Sequence, residues 1–203
     1  MIRIINYGLG NIDAFINIYK RLNIDVAIAS VADDLNDADK LILPGVGAFD
    51  AAMICLNNSG MRKRLDYLVK ERHIPIVGIC VGMQIMANKS EEGTLDGLGW
   101  IDAEVKKFSK IDACEGLQIP HMGWNSVECN NDPIFSFLPS NPRFYFLHSF
   151  YFSCFCKDNV IATSTYGLEF TSAARNGNIY GLQFHPEKSH GNGIQILKNF
   201  ANI

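Results

Sequence analysis

The chain has no surplus of either charge: 18 Lys and Arg stand against 21 Asp and Glu, a net of −3. That excludes a strongly cationic surface and argues against nucleic-acid binding. It has no long hydrophobic run. The strongest candidate lies between Arg72 and Lys89, is 16 residues long and contains Pro75 and Gln84. A bilayer span needs roughly 20 apolar residues, so no membrane segment is expected. There is no C-x-x-C pair among Cys55, Cys80, Cys114, Cys129, Cys154 and Cys156, and Cys154-x-Cys156 has no second pair to complete a zinc framework. There is no G-x-x-x-x-G-K-[ST] phosphate loop, and the glycine loop Gly8-Leu9-Gly10-Asn11 has Asp13 where a dinucleotide fingerprint needs its third glycine. No metal and no cofactor are therefore expected. The N-terminus shows no signal-peptide pattern, since Met1-Ile2-Arg3-Ile4-Ile5-Asn6 runs straight into a strand-like segment.

What is present is a 203-residue chain that is 48% hydrophobic, enough for one packed domain spanning 1–203 without disulfide staples. A reducing, cytoplasmic location follows, with most of the six cysteines acting as small buried hydrophobes. The first half alternates strand and helix: strands at 2–6, 24–29, 39–43 and 74–79, a helix at 12–22, and a helical stretch to about 72 broken near Ser59-Gly60. The second half reads as strands at 100–108, 124–128, 143–152, 158–165, 168–175 and 178–184, joined as antiparallel hairpins, then a helix at 191–201 with Ile194, Leu197 and Phe200 on one face. The expected fold is α/β: a central, mostly parallel sheet with flanking helices and an antiparallel extension.

Ligands of open α/β sheets bind beyond the carboxyl ends of the strands, which here means loops 8–11, 44–47 and 80–84. The third reads Gly78-Ile79-Cys80-Val81-Gly82-Met83-Gln84. A buried strand runs into a cysteine with a glycine two residues to either side, the nucleophile-elbow pattern with sulfur in place of serine oxygen. The glycines keep a crowded turn free of Cβ atoms, a helix N-terminus favours thiolate, and the Val81 amide points where an oxyanion would develop. The plain alternative is a structural cysteine in a glycine-rich turn. A thiol nucleophile needs a base and an orienting acid. His73 and His190 lie at a helix end and in a loop, and His121 and His148 suit a satisfied role in an aromatic core. His185 follows the strand ending at Phe184 and precedes Pro186-Glu187, a carboxylate two residues on. Alone, that H-x-E would be a turn with an incidental acid.

Together, Gly78 to Gly82 and Gln183-Phe184-His185-Pro186-Glu187-Lys188 resemble the class I (triad) glutamine amidotransferases, over nearly the whole chain. Within that family the closest resemblance is to the glutaminase subunits of imidazole glycerol phosphate synthases. Tyr7 to Asn11, Leu43-Pro44-Gly45-Val46-Gly47-Ala48-Phe49, Pro120-His121-Met122-Gly123-Trp124-Asn125 and Phe146-Leu147-His148-Ser149 carry it. The resemblance implies a Cys80, His185 and Glu187 triad that hydrolyses L-glutamine through a γ-glutamyl thioester. It implies an oxyanion hole from the backbone of Val81 and Val46. Glycine on both sides of Val46 suits a peptide flip, so alanine at Gly45 or Gly47 should alter turnover far more than stability. It implies that Gln84, Glu92 and the backbone of Ser149 and Phe150 hold the amino-acid end of glutamine. It places Trp124 and Asn125 toward a partner, and Tyr145 and Lys188 near an ammonia passage.

The chain is too short for an acceptor site of its own. The resemblance names a (β/α)8-barrel cyclase subunit as the other half of a heterodimer, making imidazole glycerol phosphate and an aminoimidazole ribonucleotide (AICAR) in histidine biosynthesis. A paralogous subunit supplying ammonia for sugar amidation in surface-polysaccharide synthesis is the alternative, and intact Cys80, His185 and Glu187 argue against a non-catalytic binding module. The five cysteines other than Cys80 should be dispensable for chemistry.

Overall fold

The computed structural model describes residues 1–108 and 116–203. In it the alternating half is a parallel layer. β1 (Ile2–Ile5) lies between β2 (Val26–Ala29) and β3 (Lys40–Gly45), and β3 pairs with β4 (Ile76–Cys80), all in parallel. β3 is buried from Leu41 to Gly45 and β4 along its whole length, as apolar runs without alternation dictate. α1 (Ile12–Arg21) is the first crossover. The Asn11 side chain accepts from the Ala14 amide at 3.3 Å to cap it, and Phe15 and Tyr19 form its buried stripe. α2 (Phe49–Asn58), α3 (Arg62–Asp66) and a π turn at Tyr67–Glu71 make the second crossover, and Gly60, with φ +74°, sits at the break. α4 (Val81–Gln84) leaves β4 directly.

The second half contains β5 (Lys89–Ser90), β6 (Ala103–Lys107), β7 (His121–Ser126), β8 (Glu128–Cys129), β9 (Arg143–His148), β10 (Phe150–Cys154), β11 (Val160–Tyr166), β12 (Leu168–Asn176) and β13 (Ile179–Leu182). The main sheet runs β2-β1-β3-β4-β13-β12-β10-β6-β5, with β11 attached to β12 and β8 to β11. The β11–β12 and β12–β13 pairs are antiparallel hairpins, and β10 pairs antiparallel with β6 across a long connection. Two features differ from the hairpin expectation. β13 pairs in parallel with β4, so 179–182 lies at the centre of the sheet, and all four of its residues are buried. The stretch 143–152 is two strands: β9 leaves the main sheet to pair with β7 in a separate antiparallel ribbon, and β10 returns to the main sheet, with Ser149 as the junction.

α5 (His190–Asn202) closes the domain. Its buried face is Gly193, Ile196, Leu197 and Phe200, the i, i+3, i+4, i+7 set, so the expected Ile194 lies off that face and is 39% exposed. The Tyr19 hydroxyl donates to the Leu197 carbonyl at 3.1 Å and ties α1 to α5. The cysteines also correct the expectation. Of the five described, Cys80 alone is buried; Cys55, Cys129 and Cys154 are half-buried and Cys156 is exposed. Cys129, Cys154 and Cys156 sit at strand ends and a turn, where nothing covers them fully, while the core is filled by larger Ile, Leu and Phe side chains. Cys114 lies outside the described residues. Among the described residues no helix is long and apolar enough to cross a membrane, and no cluster of three or more His, Cys, Asp or Glu could hold a metal.

Candidate active site

β4 ends in a strained turn. Cys80 adopts φ +55° and ψ −111°, a conformation L-residues rarely occupy and one that marks functional turns. The flanking glycines are there because nothing else fits. A Cβ on Gly78 would lie 2.6 Å from the Gly82 carbonyl oxygen, and one on Gly82 would lie 1.9 Å from that of Leu43. Gly45 belongs to the same contact, since its Cβ would meet the Gly82 nitrogen at 2.3 Å. That corrects its assignment as a flip-permitting glycine: Gly45 is a packing residue at φ < 0. Gly47, at φ +93° with open space around it, is the conformationally free member of the loop. The Tyr7 hydroxyl anchors the loop's start by donating to the Pro44 carbonyl at 2.8 Å. The helix after Cys80 is a single turn, so its dipole is a smaller source of thiolate stabilisation than the motif suggests.

The second strand reaching this point is β13. His185 lies three residues past it, with 3% of its side chain exposed, and its Nδ1 sits 2.8 Å from Glu187 Oε1, itself 3% exposed. Pro186 starts a short 3₁₀ turn that brings residue 187 back beneath the ring. Backbone bonds fix the imidazole's base: the His185 amide donates to the Tyr145 carbonyl at 2.8 Å, and the Ser189 hydroxyl donates to the His185 carbonyl. Burial is the largest single influence on His185 and opposes its charged form. The hydrogen bonds to Cys80 and Glu187, with their charges, together outweigh it and lift the imidazole to about 10. A strand end, a turn and a ribbon thus bring Cys80, His185 and Glu187 into one chain of contacts.

A cavity of about 290 Å³ opens over Cys80. Val46, Val81, Gln84, Glu92, Ser149, Phe150, His185 and Lys188 line it, so nine of the thirteen expected site residues, with Cys80, meet in one place. Gln84 is not a surface residue: it is 3% exposed, and its Nε2 donates to the Phe150 carbonyl at 3.0 Å and to Gln183 Oε1 at 3.1 Å. Glu92 Oε2 accepts from the Phe49 amide at 2.9 Å. Glu187 stands behind His185, outside the cavity wall. Trp124, Asn125 and Tyr145 lie on the β7–β9 ribbon, also outside it. Trp124 is 40% exposed rather than a core residue and stacks on His190, with ring centroids 5.2 Å apart. Lys188 Nζ lies 5.8 Å from the Tyr145 ring centroid, on the same side as exposed Met122 and Leu147.

Three contributors are missing from the sequence-based set. Gln183, fully buried, donates to Cys80 Sγ at 3.8 Å. The Leu147 carbonyl, across the ribbon, accepts from the Cys80 thiol at 3.7 Å. Ser189 pins the His185 turn. Gln183 and Ser189 flank the His-Pro-Glu motif and were legible there; the Leu147 contact is a backbone matter and left no sequence signal.

This elbow, paired imidazole and amino-acid-sized cavity sit on the sheet of an α/β domain, and the family model for glutamine amidotransferase class-I matches residues 3–203. The chain belongs to the class-I glutamine amidotransferase family. It is 55% identical over 204 residues, covering all of both chains, to the imidazole glycerol phosphate synthase subunit HisH of Bdellovibrio bacteriovorus. It is 48% identical, again over the whole of both chains, to the HisH subunit of Leptospira borgpetersenii, and 44% identical over 98% of each chain to HisH 2 of Methanococcus maripaludis. Among solved structures, one described as a glutamine amidotransferase superposes with a TM-score of 0.75 at 17% identity, covering 100% of this chain and 99% of that one. The glutaminase domain of Trypanosoma brucei CTPS, with bound acivicin, superposes at 0.61 and 15% identity, covering 99% and 93%. These structural likenesses concern the fold.

Proposed function

We propose that this chain is the glutaminase subunit of an imidazole glycerol phosphate synthase, hydrolysing L-glutamine and handing the ammonia to a cyclase subunit in cytoplasmic histidine biosynthesis. Cys80 thiolate attacks the side-chain carboxamide carbon, and the Val81 and Val46 amides receive the oxyanion. As the C–N bond breaks, His185 gives its proton to the departing ammonia, leaving a γ-glutamyl thioester. His185 then takes a proton from water, whose oxygen attacks the thioester carbon, and the Cys80 sulfur leaves with glutamate released. Glu187 holds the imidazole's tautomer and stabilises its charge. Gln84, Glu92, Ser149 and Phe150 hold the α-amino and α-carboxyl groups. The observation that carries the reading is Cys80 at the strained elbow, sharing a cavity sized for an amino acid with His185, whose ring is paired with Glu187 at 2.8 Å. At about 290 Å³ it lies at the foot of the roughly 300–1,000 Å³ range of ligand pockets, which suits a small substrate.

In this reading the acceptor site belongs to a partner, a (β/α)8-barrel cyclase in heterodimer with this chain. The face for it is the outer side of the ribbon, where Met122, Trp124 and Leu147 are 60%, 40% and 37% exposed beside Tyr145 and Lys188. Such a rimmed apolar patch beside a cavity is what an interface and an ammonia route require. A thiol-alkylating glutamine analogue tests the chemistry: with partner present, the adduct should form on Cys80, and no adduct there overturns the enzyme reading. Rescue of a histidine auxotroph separates this acceptor from amidation of a sugar. High ammonia release by the isolated chain would instead mark a stand-alone hydrolase.

A further inference from the structure

Two further buried histidines stand at the cavity, His148 in its lining and His121 behind it, and the triad uses neither. His121 begins β7 and His148 ends β9, and they are direct cross-strand partners in the ribbon, with His121 Nδ1 2.9 Å from His148 Nε2. His148 Nδ1 lies 2.7 Å from the Phe150 carbonyl, and Asn125 Nδ2 lies 3.3 Å from His121 Nε2.

The carbonyl decides every proton in this series. A carbonyl oxygen only accepts, so His148 Nδ1 carries hydrogen. In a neutral ring Nε2 then accepts, which makes His121 Nδ1 the donor and His121 Nε2 the acceptor of the Asn125 amide. All four groups are satisfied with both rings neutral and both in the Nδ1–H form. The surroundings enforce neutrality. His121 is stacked between Phe146 and Tyr166, at 4.9 and 4.1 Å between centroids, and His148 packs on Phe108 and Phe170. Burial holds both imidazoles well below their usual range, at about 4 and about 3. At the Phe150 carbonyl the series meets a second one: Gln84 Nε2 donates both to that carbonyl and to Gln183 Oε1, and Gln183 Nε2 donates to Cys80 Sγ.

We propose that His121 and His148 are positioning residues: a neutral, singly oriented hydrogen-bond relay that fixes the Phe150 carbonyl and the Ser149 turn as the substrate-binding wall and ties that wall to Asn125 on the ribbon. Ser149 needs such a device, because there the chain leaves the ribbon for the main sheet and its carbonyl accepts a long ladder bond, 3.4 Å, from the Phe108 amide. This proposal rests on the glutaminase reading.

The test is glutamine hydrolysis by the complex with its cyclase partner. His121→Leu removes the donor to His148, and His148→Gln removes the donor to Phe150. Both should raise the KM for glutamine about tenfold or more while kcat changes less than threefold. His121→Asn and His148→Asn place an amide N–H where imidazole Nδ1 stood, and each should return KM to within about threefold of wild type. Histidine ¹⁵N spectra of the unsubstituted chain should show two neutral Nδ1–H imidazoles between pH 6 and 8, a signature that stands even where a leucine variant does not fold. Unchanged KM in His121→Leu, failure of the Asn variants to recover, or an Nε2–H form at His148 overturns the relay. A wild-type complex that releases no ammonia from glutamine overturns the glutaminase reading as well; normal wild-type activity beside an unchanged His121→Leu overturns the relay alone.

Discussion

His185 is where the electrostatics of the site are concentrated. Burial alone would make it neutral, and its charge is held by Cys80 on one side and Glu187 on the other. Removing either partner should therefore act on the imidazole first. In Cys80→Ala, the thiol's hydrogen bond and charge are gone while the desolvation remains. The His185 pKa should fall well below about 10, read by NMR titration, and a value unmoved from wild type would show that the thiol does not support the charge. Glu187→Gln keeps the size but offers either a neutral acceptor or an N–H that clashes with the Nδ1 proton. Glutaminase kcat should drop about 10²–10⁴-fold with KM little changed, the loss expected when a general base is misoriented. A kcat within threefold of wild type would remove Glu187 from the proposed triad. Both residues are readable from Gly-Ile-Cys-Val-Gly and His-Pro-Glu, because elbow and turn are local. The Leu147 carbonyl is not, because it reaches Cys80 from another strand.

Elements decide what the glycine loop can do. β3, β4 and α4 meet so closely that Gly45, Gly78 and Gly82 form one backbone contact, while Gly47 projects beyond it. Gly45→Ala should destabilise the fold by about 1–3 kcal/mol or more, by overpacking against the Gly82 amide. Gly47→Ala has open space and an unfavourable φ, a cost of roughly 1–2 kcal/mol in the present loop conformation. It should stay folded and change turnover by biasing the Val46 peptide. Urea melts beside ammonia-release assays check both, and Gly45→Ala with wild-type stability would contradict the packing. The same scale explains the division of 143–152. Phe144, Phe146, His148, Phe150 and Phe152 alternate without interruption through Ser149, so nothing local announces the change of sheet. The partner strands β7 and β6 impose it.

For the whole molecule, the buried histidines set opposing limits on stability. His121 and His148 stay neutral in the folded state down to about pH 4 and 3, whereas in the unfolded chain they bind protons near 6.5. Below about pH 6.5 the unfolded state binds more protons, so stability falls as pH drops, by up to about 1.4 kcal/mol per pH unit for each ring. His185 has the opposite sign. Its raised pKa contributes stability that is complete below 6.5 and is lost as pH rises through about 10. Urea melts across pH 4–10 should therefore peak near pH 6.5, and a curve flat from pH 6.5 to 5 would mean that the histidine pair is solvated. The amino-acid sequence by itself determined the α/β rhythm of the first half, the elbow cysteine and the His-Pro-Glu turn, because these depend on local periodicity and glycine placement. Only the tertiary structure placed β13 at the centre of the sheet, split 143–152 between two sheets, turned Gly45 into a packing residue and paired His121 with His148. Each of these depends on which distant backbone lies alongside, and short apolar strands leave that choice to the packing of the whole chain.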